Sequence, residues 1–146
     1  MSKHHHIGLL TAGRGFLESA NRLNDGPQED AAPFPVYYLF FHGLELALKS
    51  FIYLKTKDEK ELRKIGHNLE AAWCKAKELG IGEIFPENQE LQECIAMVNP
   101  TYEGKEFEYF YPGFKRLPAI VHVSNVSNNL NGALDRHYRS ELKKNT

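Results

Sequence analysis

The stretch from Pro35 to Lys55, PVYYLFFHGLELALKSFIYLK, constrains the fold more than any other part of the chain. Tyr37, Phe41, Leu44, Leu48, Phe51 and Ile52 recur at helical spacing, and Phe40, Ala47 and Leu54 widen the stripe beyond one face. A helix apolar around most of its girth must be covered on several sides, by lipid or by other helices. His42, Glu45 and Lys49 lie about one turn apart along it, and charges at the centre of a bilayer are costly. The run is also only marginally long enough to span one. The expectation is a buried central helix of a bundle, with no membrane partner.

The bulk numbers agree with that class. A chain of 146 residues is expected to be a single domain, residues 1–146, large enough to bury about two thirds of its unfolded surface. Its formal charge of −1 removes a global electrostatic case for nucleic acid or anionic lipid and leaves only local basic patches. Cys74 and Cys94 lie far apart with no metal-type spacing. Without a secretory signal they read as reduced packing residues of a cytoplasmic protein. His4 to His6 resemble a tag, so residues 1–6 are set aside as a disordered or tag-like start, and residues 140–146 read as a frayed tail.

Start and stop signals divide the rest. Ile7 to Leu23 offers Leu9, Leu10, Phe16, Leu17, Ala20 and Leu23 as a helical face, broken by Asn24-Asp25-Gly26-Pro27 and by Pro33 and Pro35. After the central helix, Thr56 and Glu59 fit a capping box for a short helix, Asp58 to Ile65, that ends at Gly66. Asn68 then caps LEAAWCKAKELG, whose inner face is Leu69, Ala72, Trp73, Ala76 and Leu79. Phe85-Pro86-Glu87 opens the next helix, with Leu91, Cys94, Ile95 and Val98 inward and Asn99-Pro100 as its stop; Met97 is read as core. TYEGKEFEYFYPGFKR carries Tyr102, Phe107, Tyr109, Phe110, Tyr111 and Phe114 at non-helical spacing, which predicts an extended excursion or a short hairpin. Leu117 to Tyr138 forms the last helix, with Ile120, Val121, Val123, Val126, Leu130 and Leu134 inward and a Ser/Asn-rich middle of weak intrinsic propensity. The fold class expected is all-α: an up-and-down bundle of four long helices plus one short helix, with an extended aromatic loop before the last helix.

ELALKSF, Glu45 to Phe51, followed by a short helix and then GHNL, Gly66 to Leu69, resembles the HEPN superfamily, the higher eukaryotes and prokaryotes nucleotide-binding domains. In those small helical bundles a helix reading E-x-A-x-K precedes a helix start reading H-[ND]-L. GKEFEYFYPGFKRLP also resembles an uncharacterised bacterial subgroup of HEPN-like proteins. The resemblance implies one of two things. One is a ribonuclease of toxin–antitoxin, abortive-infection or CRISPR-linked defence, built on Arg-x(4–6)-His at a dimer interface. The other is a non-catalytic module that binds a nucleotide, a nucleic acid or a protein partner such as an antitoxin. Homodimerisation is expected in either case.

Arg116 and His122 fit Arg-x5-His at the start of the last helix. A histidine can take a proton from a 2′-hydroxyl, and an arginine can stabilise the developing phosphorane charge. Against this, six arginines and seven histidines in 146 residues yield about one such match by chance. Leu117 stands where the resemblance implies a polar residue, and Pro118 interrupts the spacing.

His42, Glu45 and Lys49 share one helix face, and with His67 they read either as a polar groove or as scaffold; the scaffold reading is adopted. The aromatic segment offers Lys105, Tyr109, Phe114 and Lys115 to a stacked, phosphate-bearing ligand. Glu103, Glu106 and Glu108 offset Lys105, Lys115 and Arg116, which favours packing on the bundle or on a second subunit. Gly13-Arg14-Gly15 is too short for a phosphate loop, no carboxylate or Cys/His set shows metal spacing, and no cofactor is expected.

Overall fold

The computed structural model describes residues 5–25, 34–105 and 117–144, and among these every regular element is helical. The helices are α1 (His5–Asp25), α2 (Phe34–Thr56), α3 (Glu59–Ile65), α4 (Leu69–Glu78), α5 (Gln89–Glu103) and α6 (Ile120–Lys144), with a 3₁₀ turn at Ile81–Glu83 after α4. The fold is an all-α bundle, as expected. It holds one helix more than four long and one short, because α4 is a ten-residue element between the two classes. No helix among the described residues is long and apolar enough to cross a membrane.

The greasy stretch is the centre of that bundle. Thirteen of the 23 residues of α2 are buried, Phe40, Phe41, Leu44, Ala47, Leu48, Phe51 and Ile52 completely. α1, α4 and α6 cover it, and α5 closes the layer by packing on α4 and α6. α2 supplies ten of the 31 buried hydrophobic side chains among the described residues, more than any other helix, and each Å² of apolar surface so removed from water contributes about 25 cal/mol.

Polar pins fix the register of the covering helices. Tyr37 donates to the Pro118 carbonyl at 2.7 Å, tying the start of α2 to the chain entering α6. Ser50 and Tyr138 join α2 to α6 through their hydroxyls at 2.9 Å, and burial pushes the Tyr138 phenol well above its ordinary pKa. Asn21 and Asn128 form a reciprocal amide pair between α1 and α6, at 3.1 Å in both directions. The Ser/Asn-rich middle of α6 therefore exchanges helix propensity for directional contacts with α1.

Several boundaries differ from the expectations. His5 and His6 are not a loose tag: both lie in α1, with rings edge-on to Tyr53 at 4.7 Å and to Tyr138 at 4.9 Å. The tail is helical as far as Lys144. Asp58, not Thr56, caps α3 by accepting from Lys60 N at 2.9 Å, because Thr56 is the last residue of α2 and donates to the Ile52 carbonyl. α5 starts at Gln89 and not near Pro86, and it runs through Pro100 to Glu103. A proline inside a helix loses one hydrogen bond and costs about 3 kcal/mol. Here the following turn offsets that cost by burying Thr101 and Tyr102.

Some core assignments also change. Val121, Leu23 and Met97 face solvent, at 62 %, 51 % and 39 % exposure. Cys74 is exposed as well, so it is not a packing residue, whereas Cys94 is buried and its thiol is pushed up to about 12 by that burial. Only the thiolate reacts with disulfide reagents. Thiol titration of the native protein is therefore expected to count one fast-reacting group, Cys74, and a second only on unfolding. Two equally fast thiols would contradict this packing.

Candidate functional site

Glu45 sits on α2 at only 3 % exposure, with four side chains gathered around its carboxylate. Lys49, one turn later on α2, donates from Nζ to Oε2 at 3.0 Å. On the other oxygen, Oε1 accepts from His67 Nδ1 at 2.8 Å and from the Tyr102 hydroxyl at 2.7 Å. His42, one turn before Glu45, places Nδ1 at 3.1 Å from that same hydroxyl. Three segments thus converge on one carboxylate: α2, the turn between α3 and α4, and the end of α5.

Local sequence explains how His67 arrives there. Gly66 ends α3 with φ 57° and ψ −130°, a conformation that side chains exclude and glycine accepts. Asn68 begins α4 by accepting from Ala71 N at 3.0 Å. Asn99 on α5 accepts from Leu69 N at 2.7 Å and donates to Asn68 Oδ1 at 3.2 Å, which locks the turn against α5. One residue stands between a stop and a cap, and its imidazole projects onto α2. The Gly-His-Asn sequence is therefore a device for holding a histidine.

The electrostatics follow from this crowding. Burial works to raise the pKa of Glu45, but the hydrogen bond from His67, the charge of Lys49 and the hydrogen bonds from Tyr102 and Lys49 together prevail. They hold the carboxyl below its ordinary value. An ionised carboxylate only accepts, so His67 Nδ1 and the Tyr102 hydroxyl must both donate to it. Tyr102 has a single proton and spends it on Glu45. The hydrogen bond at 3.1 Å then requires His42 Nδ1 to be the donor to the Tyr102 oxygen. That bookkeeping assigns the Nδ1–H form to both imidazoles.

Aromatic packing orients the histidines further. Phe16 of α1 lies edge-on to His42 with centroids 4.4 Å apart, and Tyr38 stacks on the same ring at 5.6 Å. The His67 ring is perpendicular to Tyr102 at 5.9 Å, and its side chain is 38 % exposed, so the cluster opens to solvent there. A ring nitrogen from each histidine and an oxygen of Glu45 all lie within 4.8 Å of one another.

No protein family, curated protein or solved structure matched this chain. Of the residues singled out in the sequence, His42, Glu45, Lys49 and His67 come together. Lys105 is exposed just beyond α5, with a positive φ of 60°. His122 is exposed in the first turn of α6. Arg116, Tyr109, Phe114 and Lys115 lie outside the described residues. Tyr102 is the member that the sequence conceals: Pro100 reads as a stop and places Tyr102 in the aromatic excursion. Had α5 been continued through the proline, Tyr102 would have fallen four residues after Val98, on the buried face.

Proposed function

We propose that this chain is a HEPN-like binding module, homodimeric and cytoplasmic, that takes a phosphate-bearing ligand, nucleotide or nucleic acid, in bacterial stress or defence. One observation supports the reading. The two halves of the sequence resemblance, E-x-A-x-K and G-H-N-L, are 17 positions apart between Lys49 and Gly66, yet they touch through Glu45 and His67 at 2.8 Å. A chance pairing of short motifs carries no requirement that they meet in space. Ligand contact is assigned to Lys105, Tyr109, Phe114 and Lys115, two cations and two aromatics that fall within eleven positions of the sequence.

The test is a binding titration of the full chain with fluorescent single-stranded RNA and with nucleoside triphosphates. Saturable binding that weakens with salt is expected. Lys105→Glu combined with Lys115→Glu should weaken it by tenfold or more. Absence of binding to both probes, or binding indifferent to the double substitution, would end the proposal.

A second reading, a metal-independent endoribonuclease using Arg116 and His122, is favoured by the exposure of His122, which leaves its imidazole accessible to RNA. RNA cleavage in EDTA by the native protein and its loss in His122→Ala would support the enzyme. Equal cleavage by the two would remove His122 from consideration.

A further inference from the structure

We infer that His42, Glu45 and His67 form a binding site for a first-row divalent cation of the Zn²⁺ and Co²⁺ class, a use independent of the HEPN-like reading. Two imidazoles and one carboxylate are the donor set of open metal sites, where three protein ligands leave a position for water or substrate. Here the three candidate ligand atoms lie within 4.8 Å of one another. Metal–ligand bonds of about 2.0–2.2 Å bring neighbouring ligand atoms roughly 3.4 Å apart, so closure asks for about an ångström of side-chain rotation. His67 has room for that rotation at the solvent edge.

The hydrogen bonds already present point to the same use. His67, Tyr102 and His42 are joined to Glu45 Oε1 by a chain of protons, with contacts of 2.8, 2.7 and 3.1 Å. Each contact joins a lone pair to a proton, and a divalent cation is the other species able to bridge several lone pairs at one point. When a neutral imidazole ligates, its proton moves to the second ring nitrogen, and no net proton is lost. The Tyr102 hydroxyl, in contact with both Glu45 and His42, is a fourth donor atom at that point. Supporting contacts surround the set: Phe16 and Tyr38 fix the His42 ring, and Gly66, Asn68 and Asn99 fix the turn that carries His67. Ligands held this way reach their geometry with little further ordering.

Lys49 opposes the cation, and that gives the proposal a signed test. Its ammonium lies 3.0 Å from Oε2, the carboxylate oxygen not shared with His67 and Tyr102. Replacing this charge by an apolar side chain of similar length should tighten metal binding, since like charges a few ångströms apart repel strongly in a partly buried site.

The experiment is a Co²⁺ titration of the full chain, freed of metal with EDTA and dialysed, followed by visible absorption and checked by Zn²⁺ competition. One Co²⁺ per chain with ligand-field bands is expected. His67→Ala should weaken binding at least tenfold, and Lys49→Met should tighten it by about tenfold or more. The terminal histidines are a competing site, so His4→Ala with His5→Ala is the control and should leave the bands unchanged. The proposal is overturned if no saturable band develops, or if His67→Ala binds as the native protein does. Loss of binding in the terminal control overturns it as well. Weaker or unchanged binding by Lys49→Met overturns it too, because Glu45 is then not a ligand. Circular dichroism of each variant separates lost binding from lost fold, and His67, the most exposed member, is the substitution the bundle tolerates best.

Discussion

Glu45→Ala is expected to lower the stability of the protein by about 3–5 kcal/mol, which for a chain of this size moves the thermal midpoint down by roughly 10 °C or more. The magnitude follows from what the substitution strands. Lys49 is 13 % exposed at its side chain and has Glu45 at 3.0 Å; without the carboxylate its charge stays mostly desolvated with that partner gone. The Tyr102 hydroxyl, buried at 3 % residue exposure, loses its 2.7 Å hydrogen bond to the carboxylate in the same step. Breaking a buried pair from one side costs far more than the pair contributes, because the remaining group keeps its desolvation penalty. Chemical denaturation of the metal-free protein in EDTA gives the number. A loss under about 1 kcal/mol would mean that the cluster is solvated in solution.

The same carboxylate sets a pH dependence of fixed sign. Its pKa is lower in the folded chain than its ordinary value of 4.5. The stabilisation is therefore complete above that value and disappears as pH falls through the folded value. In EDTA, the native protein should lose stability progressively below about pH 5. Glu45→Gln should start less stable and lack that part of the slope. Parallel acid profiles for the two would show that other carboxylates carry the dependence.

The parts of this fold that could be read from sequence are those governed by neighbours along the chain. Helical periodicity locates α2 without any partner in view, because a helix apolar around most of its girth needs cover on several sides and the charges at Glu45 and Lys49 disfavour lipid as that cover. The Gly66 stop and the Asn68 cap are likewise local, each set by backbone chemistry within three or four residues. The contact between Glu45 and Lys49 follows from one turn of helix. Tyr102 was hidden because the proline before it speaks louder than the burial after it, and burial depends on α2 and α4 being in place. Thr56 and Asp58 both carry cap chemistry two residues apart. What decides between them is how far α2 runs, and tertiary packing sets that. Val121 fits the apolar pattern of α6 yet faces solvent, because periodicity fixes a stripe only to within a residue at a helix end.

Gly43→Ala and Gly15→Ala should shift stability in opposite directions, although each replaces a glycine by the best helix former. Intrinsic propensity alone favours alanine by about 1 kcal/mol at both. Gly15 lies on an exposed face of α1 with nothing within 4 Å of an added Cβ, so the propensity gain should appear nearly in full. Gly43 lies where α2 meets α1. A Cβ there would stand 2.7 and 2.8 Å from two carbons of Leu17 and 2.9 Å from the Gly13 carbonyl oxygen. Gly13 meets the same boundary from the other helix, with the Gly43 carbonyl 3.0 Å from its own added Cβ. The Leu17 side chain is fully packed, and the carbonyl is backbone, so the two helices must move apart over their whole contact. Overpacking of that kind costs about 1–3 kcal/mol beyond any propensity gain, and Gly43→Val should exceed it. Paired denaturation curves settle the matter: Gly15→Ala rises, Gly43→Ala falls, and Gly43→Val falls further. Should Gly43→Ala match or exceed the native protein, α1 and α2 do not approach as closely as backbone against backbone. His42, the residue just before this crossing, would then lose the fixed contact with Phe16 that orients its ring.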